Sequence, residues 1–285
     1  MRLGLVLVFG LSSFAQEPRV PVDSNKVVFV SDTHIDSRGL ARGQHDALRD
    51  LKTCVRQIAE MIPRPAAVLL LGDLTENNTV ESFRLFREVL APWDKAGIAY
   101  YLTLGNHEKA DTFFKALPEF RTRTAVLGGA VTQLIELPLA DFALIETVGI
   151  GSPDWFGGVR EGDKAWLNAV LKNHASKPLF VCGHHPVDRN PADADLRQAG
   201  AFQAWVYGHY HQMRAEQTKD GIRTVGVPST SFPVQSSGYY VLEMEQKKGS
   251  AEFHFTFFAT DPGNAKHGQE VLALPPFPAT SAQAR

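Results

Sequence analysis

The first part of the chain alternates short hydrophobic runs with segments of helical periodicity. Residues 26–32 form a β-branched run of the kind found in fully buried strands. From Asp46 to Ile62, apolar residues recur at intervals of three and four, which predicts an amphipathic helix ended by Pro63. Residues 66–73 again form a continuous apolar run and are predicted as the next strand.

The same alternation continues through residue 106. Apolar residues spaced by three and four between Phe83 and Trp93 mark a second helix, with Gly97 near its end. Residues 98–106 are predicted as a third strand. Alternating strands and helices are joined by right-handed crossovers, so the pattern predicts an α/β fold with a largely parallel central sheet.

Later segments combine hairpins with the same kind of strand and helix. Residues 131–138 and 141–150 are predicted to pair as a hairpin. A helix is predicted from Asp163 to His174, and buried strands are predicted at residues 177–185 and 201–211.

The last third of the chain reads mainly as antiparallel structure. The pair Asp220-Gly221 predicts a hairpin turn, and residues 238–260 predict a second hairpin that turns near Lys248 and Gly249. From Leu272 the sequence has no periodicity, so we expect a segment that is loose or lies along the surface.

The composition is that of an ordinary globular protein. Of 285 residues, 44% are hydrophobic and 21% are charged, which supplies ample material for a core. Single α/β domains reach about 250 residues, so we expect one domain over residues 24–260 and a C-terminal tail over residues 261–285. The net charge of -2 gives no indication of nucleic-acid binding. Two cysteines are too few for a disulfide scaffold.

The N-terminus has the features of a secretory signal peptide. Arg2 precedes an apolar stretch from Leu3 to Phe14, and small residues before Gln16 fit a cleavage site. We therefore expect residues 1–15 to be removed and the protein to be exported, either to the periplasm or outside the cell. The stretch is shorter than the roughly 20 residues of a membrane-spanning helix, so no stable membrane insertion is expected after cleavage.

Polar residues follow five of the predicted strands at the points where the strands end. In chain order they are Asp32 and His34, Asp73, Asn106 and His107, His184 and His185, and His209 and His211. Ligands of α/β sheets bind beyond the carboxyl ends of the strands, so these loops are expected to converge. The remaining histidines are scattered and are interpreted as surface or packing residues: His45, His174, His254 and His267.

If these clustered polar groups are buried, the free-energy cost of removing them from water must be offset by bonding partners. Each unpaired group costs about 1–3 kcal/mol, and two cations would offset that cost. Carboxylate, imidazole and amide ligands suit Mn, Fe or Zn better than Ca or Mg. The candidate ligands outnumber those of one tetrahedral zinc site, which indicates two metals.

Five motifs occur in order between residues 30 and 211: Asp-x-His, Gly-Asp, Gly-Asn-His-Glu, His-His-Pro and Gly-His-x-His. Together they closely resemble the calcineurin-like metallophosphoesterase family. The resemblance implies a four-layer α/β/β/α sandwich with helices outside two mixed sheets. It also implies a pair of divalent or trivalent transition-metal ions, Mn, Fe or Zn, as cofactors.

The resemblance implies a role for each residue of the motifs. One metal is expected to be bound by Asp32, His34 and His211, and the other by Asn106, His184 and His209, with Asp73 bridging the two. The expected catalytic residues are His107, Asn106 and Asp73, and His107 is the expected acid for the leaving oxygen. His185 is expected to support its neighbour by hydrogen bonding.

The implied activity is hydrolysis of small phosphoesters by a hydroxide held between the metals. The segments SDTH, GDLTE, WLNAVL and GHYHQ resemble the class III cyclic-nucleotide phosphodiesterase branch, so a cyclic nucleotide or another small diester is the expected substrate. Purple acid phosphatases have a tyrosine where this chain offers Thr75 and Glu76, so a tyrosinate-bound ferric ion is not indicated. Phosphomonoester or diphosphate hydrolysis and a non-catalytic binding role on this fold are the alternatives.

One loop, residues 149–164, carries two aromatic side chains, Trp155 and Phe156. These rings either stack on a ring of the substrate or pack the loop against the body of the protein. The sequence leaves the oligomeric state open.

Overall fold

The structure is a computed structural model that describes residues 21–39, 46–123, 131–148, 155, 157–173, 177–186, 202–219, 221–232 and 236–278. The predicted signal peptide, residues 1–15, lies outside the described residues, as does Phe156. None of the helices in the described ranges has the length and hydrophobicity that a bilayer span requires.

The order of elements follows the predicted alternation. The helices are α1 (Ala47–Ala59), α2 (Val80–Val89), α3 (Ala91–Ala96), α4 (Ala110–Ala116), α5 (Phe120–Arg123) and α6 (Glu161–Asn173). The strands are β1 (Val22–Val30), β2 (Arg64–Leu71), β3 (Tyr100–Thr103), β4 (Gln133–Glu136), β5 (Asp141–Leu144), β6 (Leu179–Gly183), β7 (Ala204–Tyr207), β8 (Arg214–Gln217), β9 (Arg223–Gly226), β10 (Gly238–Lys247), β11 (Ser250–Ala259) and β12 (Gln269–Pro278).

The strands form two mixed sheets instead of one largely parallel sheet. The first sheet has the order β12-β11-β10-β1-β2-β3, and the second has the order β4-β5-β6-β7-β9-β8. Strands β1, β2 and β3 are parallel to one another, as are β5, β6, β7 and β9. The remaining neighbours pair antiparallel, and they include the three predicted hairpins β4–β5, β8–β9 and β10–β11.

Three hydrophobic clusters define four layers. Phe29 of β1, Phe142 of β5 and Phe180 of β6 belong to the cluster in which the two sheets pack face to face. The other face of the first sheet packs against α1 to α4, and that of the second sheet packs against α6. Within β1, Val28 points to the helical side while Phe29 points between the sheets, as strand alternation requires. The four-layer α/β/β/α prediction is confirmed.

The predicted helix between Phe83 and Trp93 is divided in two. Helix α2 begins after its N-cap Thr79, whose side chain accepts from the Ser82 amide, and it ends at Leu90. A new helix, α3, starts there with Pro92 in its first turn. Proline has no amide hydrogen, so it cannot continue the α2 ladder but is well suited to a helix start.

Residues 272–278 do not form a loose tail. They belong to β12, which pairs antiparallel with β11 and buries Leu274. The prolines in this stretch interrupt the apolar alternation by which a strand is recognised in a sequence. Because β12 is the edge strand of its sheet, the amide hydrogens that proline lacks are tolerated there. The domain boundary at residue 260 remains a prediction.

Candidate metal centre

The predicted site residues follow the carboxyl ends of parallel strands from both sheets. Asp32 and His34 follow β1, Asp73 follows β2, Asn106 and His107 follow β3, His184 and His185 follow β6, and His209 and His211 follow β7. The sheets come together at this edge, where an isolated bridge joins Ser31 to Ser229. The structure therefore brings all nine residues to one place.

The loops hold several of these residues in an unusual backbone conformation. Among the described residues, five of the six non-glycine residues with positive φ are predicted ligands: Asp32, His34, Asp73, His209 and His211, with φ between 46° and 68°. A left-handed conformation costs a non-glycine residue about 1–2 kcal/mol. Such strain tends to accumulate at functional sites, where the surrounding structure enforces it.

One group of ligands surrounds the end of β1. His34 Nε2 lies 3.1 Å from His211 Nε2, and His211 Nε2 lies 3.3 Å from Asp32 Oδ1. Asp32 is completely buried, and its carboxylate accepts the His209 amide at 3.1 Å. Gly208 makes this approach possible, because a Cβ there would collide with the Ser31 side chain and the Asp32 carboxylate.

A second group surrounds the ends of β3 and β6. Asn106 Oδ1 lies 3.0 Å from His184 Nε2 and 2.9 Å from His209 Nδ1. The two histidine nitrogens are 3.3 Å apart. The groups meet at Asp73, whose Oδ2 atom lies 3.2 Å from His184 Nε2 and 3.8 Å from His34 Nε2. Its other oxygen accepts the His107 amide at 3.0 Å, which fixes the carboxylate.

The inward-facing atoms include several acceptors that two cations can satisfy together. The outward nitrogens of His184 and His211 lie 2.8 Å and 2.7 Å from the carbonyl oxygens of Leu71 and Phe232, so each outward Nδ1 carries the hydrogen. In the neutral rings the inward Nε2 atoms are then bare lone pairs, and they face carboxylate and amide oxygens. Hydrogen bonds to the outward nitrogen are typical of metal-binding histidines. The donor set fits two transition-metal ions.

Burial and neighbouring charges shift the pKa values of the clustered carboxylates and histidines in different directions. Burial raises the pKa of Asp32 and Asp73, but hydrogen bonds and charges from His211 and His184 outweigh it and hold both pKa values below the usual range. Burial lowers the pKa of His184, yet the Asp73 carboxylate raises it to about 9. For His209, burial and the charge on His184 lower the pKa to about 4. Two ionised carboxylates are therefore available to balance cations at neutral pH.

His107 lies beside the cluster. Its Nδ1 donates to the Glu76 carbonyl at 2.8 Å, and its Nε2 is 4.0 Å from Asp73 Oδ2. The side chain is 25% exposed, whereas that of His184 is fully buried. His107 can therefore reach a molecule that enters from solvent.

His185 packs against the site and is paired with Thr147, while the expected hydrogen bond to its neighbour stays a prediction. Its Nδ1 pairs with Thr147 Oγ1 at 2.8 Å, and its amide donates to the same oxygen. The ring contacts those of His184 and His209, with centroids 4.8 Å and 4.7 Å away.

Two acidic residues contribute contacts that sequence reasoning missed. Glu76 Oε2 lies 2.8 Å from His34 Nδ1, on the outward side of that ring. Glu108 is buried and accepts the amides of Thr75 at 2.8 Å and Gly105 at 2.7 Å, which ties the loops after β2 and β3 together. Burial and the nearby Asp73 raise the pKa of Glu108 to about 7. Both residues lie inside the motifs GDLTE and GNHE, which was the available signal.

The loop after β9 also holds the site in place. Ser229 Oγ donates to the Asp32 carbonyl at 2.7 Å, and Ser231 Oγ donates to the Thr33 carbonyl at 2.6 Å. The Phe232 carbonyl accepts from His211. This loop contains no histidine, carboxylate or cysteine, so its segment GVPSTSFP was the one indication available from the sequence.

The cluster opens to solvent through a pocket of about 270 Å³. Its lining consists of His34, Asp73, His107, Trp155, His209, Tyr210 and His211. The arrangement is a polar floor of candidate ligands with one aromatic wall, and it can admit a small anionic molecule to the cations.

Comparisons with known proteins agree with this geometry. A probable glycerophosphodiester phosphodiesterase, GpdQ, from Arcobacter nitrofigilis is 31% identical over 197 residues, which cover 66% of this chain and 68% of that protein. A probable cyclic nucleotide phosphodiesterase of Ruthia magnifica is 24% identical over 226 residues, covering 73% of this chain and 87% of that protein.

The structural comparison and the family comparison both point to a phosphoesterase fold. A dimetal phosphatase structure from Danio rerio matches with a TM-score of 0.64 at 13% identity, covering 88% of this chain and 100% of that chain, which shows a shared fold. The family model for calcineurin-like phosphoesterases matches residues 25–213. The chain therefore belongs to the calcineurin-like phosphoesterase family and is a dinuclear metal-dependent hydrolase of phosphoesters.

Proposed function

We propose that this enzyme is a phosphodiesterase that acts on small diesters. The observation that carries the proposal is the Asp73 carboxylate, which stands between two sets of inward-facing ligands at the floor of an open pocket. The names of its relatives add support, because they are glycerophosphodiester and cyclic-nucleotide phosphodiesterases.

The proposed ligand sets follow the two groups of contacts. One cation would be held by Asp32, His34 and His211, and the other by Asn106, His184 and His209, with Asp73 available to both. Support comes from the distances of 2.9–4.0 Å that link the inward-facing atoms within each group. Imidazole and carboxylate together favour Mn, Fe or Zn.

When bound, such a pair of ions lowers the pKa of water and neutralises charge that develops on a phosphoryl group. The protein supplies the rest of the reaction. Asp73, fixed by the His107 amide, holds the two halves of the site at a constant separation. His107 Nδ1 donates to the Glu76 carbonyl, which leaves Nε2 toward the pocket; in the imidazolium form this Nε2–H can protonate the leaving oxygen and the ring becomes neutral.

We also propose that the protein is exported. The support is the N-terminal pattern of Arg2, an apolar stretch from Leu3 to Phe14, and small residues before Gln16. Mass spectrometry of protein recovered outside the cytoplasm tests this, and an N-terminus that retains residues 1–15 would contradict cleavage.

The test of diesterase function uses two substrates with one leaving group. Protein stripped with a chelator is given Mn, Fe or Zn, and hydrolysis of methyl p-nitrophenyl phosphate is compared with that of p-nitrophenyl phosphate. The proposal predicts metal-dependent cleavage with a higher kcat/KM for the diester. A higher kcat/KM for the monoester would make the enzyme a phosphomonoesterase, and no cleavage with two ions bound would indicate a binding protein.

A further inference from the structure

Trp155 has an exposed ring at the mouth of the metal pocket. Its residue is 59% exposed, and the other large hydrophobic residues exposed among the described ranges, Val22 and Ile62, do not line this pocket. The Trp155 ring lies against that of His209, with centroids 4.7 Å apart and planes inclined at 60°. One side of the ring therefore rests on a candidate ligand, while much of its apolar surface remains in contact with water.

The backbone just beyond Trp155 is anchored to the body of the protein. Gly157 has φ +69°, and a Cβ at this position would collide with the His185 ring. The absence of a side chain therefore lets the Gly157 backbone pack directly against that ring. The next amide, of Gly158, donates to the Thr147 carbonyl at 2.7 Å. Thr147 in turn pairs with His185 Nδ1.

These anchors explain what His185 does in the site. Its ring is enclosed by Gly157, His184 and His209, and its carbonyl accepts the indole hydrogen of Trp205 at 3.0 Å. His185 therefore links the loop that carries Trp155 to the histidines of the metal cluster. The contact with His209 places the Trp155 ring at the pocket before a ligand binds, and such prior placement lowers the entropic cost of binding.

The position of Trp155 relative to His107 indicates which part of a substrate would touch it. His107 contacts the ligand group that contains His34, with ring centroids 4.8 Å apart. Trp155 contacts His209, which belongs to the other group. His107 and Trp155 thus contact different ligand groups, which favours a substrate orientation in which the ester group beside Trp155 is not the one that His107 protonates.

From these contacts we propose that Trp155 is a specificity-determining residue that stacks on the ester group retained by phosphorus. This inference rests on the proposed phosphodiesterase function. It names the substrate class: diesters whose retained group is a planar ring, such as an aryl group or a nucleoside base. Aromatic stacking of this kind is tolerant of the identity of the ring, since every base and aryl group presents a π-face.

The test varies only the retained group. The metal-loaded enzyme is assayed with phenyl p-nitrophenyl phosphate and with methyl p-nitrophenyl phosphate, so the leaving group is the same in both. We expect the kcat/KM of the phenyl ester to exceed that of the methyl ester by about tenfold or more. In Trp155→Ala this ratio falls by about tenfold, and in Trp155→Phe, which keeps an aromatic face, it falls by less than about threefold.

Ile62→Ala is the matched control, because it also removes an exposed apolar side chain, 77% exposed, but Ile62 lies in the turn between α1 and β2 and does not line the pocket. This variant keeps the ratio of the parent enzyme. An unchanged ratio in Trp155→Ala, with two metals still bound, overturns the inference and leaves the diesterase function intact. If the parent enzyme cleaves neither ester, the proposed function itself fails.

A binding measurement gives a readout without turnover. Of the other three tryptophans, Trp93 and Trp205 are buried, with 0% and 1% exposure, and Trp166 is partly buried on α6 and does not line the pocket. Phenylphosphonate bound to the metal-loaded enzyme therefore quenches chiefly Trp155 fluorescence. We expect quenching by phenylphosphonate that exceeds quenching by methylphosphonate and that disappears in Trp155→Phe. Equal quenching in the parent enzyme and in Trp155→Phe would overturn the inference.

Discussion

Asp73 Oδ2 lies 3.2 Å from His184 Nε2, and the same oxygen is 3.8 Å from His34 Nε2 in the opposite ligand group. No other carboxylate among the described residues has both contacts, so the substitution Asp73→Asn is expected to be the most damaging one. We predict that it reduces metal affinity by more than the roughly 10- to 100-fold that outer-shell changes cause. Metal analysis after equilibrium dialysis checks this result.

Asp111→Asn is the matched control for that experiment, because Asp111 is exposed on α4. It should bind metal as the parent enzyme does. If Asp73→Asn retained two tightly bound ions, Asp73 would not be the shared ligand.

Removing His107 should separate catalysis from metal binding. His107→Ala leaves both ligand groups complete, so two ions remain bound. Loss of a general acid lowers kcat by about 10²–10⁴-fold, and the loss is greatest for alkyl leaving groups, which need a proton. A leaving-group series assayed with both proteins measures the difference, and equal rates on an alkyl diester would rule out the acid role.

Glu76 is predicted to position His34. Its Oε2 atom lies 2.8 Å from His34 Nδ1, an ion-pair contact on the side of the ring opposite the metal position. Glu76→Leu should weaken metal binding by about 10- to 100-fold, whereas Glu76→Gln should be milder because its amide keeps a polar group beside His34 Nδ1. Calorimetric titration checks the affinity, with Glu81→Leu on the exposed face of α2 as the control. Identical affinities for all the variants would refute the positioning role.

Metal binding should release protons in a defined pH range. Asp73 raises the pKa of His184 to about 9, above the value of about 6.5 in an unfolded chain, so His184 in stripped protein carries a proton at pH 7.5. A cation must displace that proton. Indicator dyes in weak buffer should detect release at pH 7.5 that declines as the pH rises through about 9.

The raised pKa of His184 also predicts how the stability of the stripped protein changes with pH. The raised pKa contributes stability that is complete below about pH 6.5 and is lost as the pH rises through about 9. Denaturant unfolding of stripped protein should therefore show a falling midpoint across this range. His254→Gln, which changes a histidine paired with Glu270 on the surface, should show the same decline. Proton release that is independent of pH from 7 to 10 would contradict the assignment.

Most of the strands, and the positions of the site residues that follow them, could be predicted from the sequence for one physical reason. Ligands such as Asp32 and His184 must follow buried strands, and buried strands are visible as apolar runs. The division of the parallel strands between two sheets was implied only by the family resemblance, because periodicity does not record which strands pair.

What the sequence missed depends on contacts between distant segments. The edge strand β12 exists because β11 supplies its hydrogen bonds, although its own residues show no period. Glu76 and the Phe232 carbonyl hold His34 and His211 from behind, and neither role can be read from local spacing. The His185 contact with Thr147 likewise joins residues 38 positions apart.

The most direct test of the account is a titration of chelator-stripped enzyme with metal, followed by hydrolysis of methyl p-nitrophenyl phosphate. The account predicts that activity is absent without metal and reaches its plateau at two ions per chain, because Asp73 joins two ligand groups in one site. A plateau at one ion per chain, or cleavage by the stripped enzyme, would contradict a dinuclear phosphodiesterase.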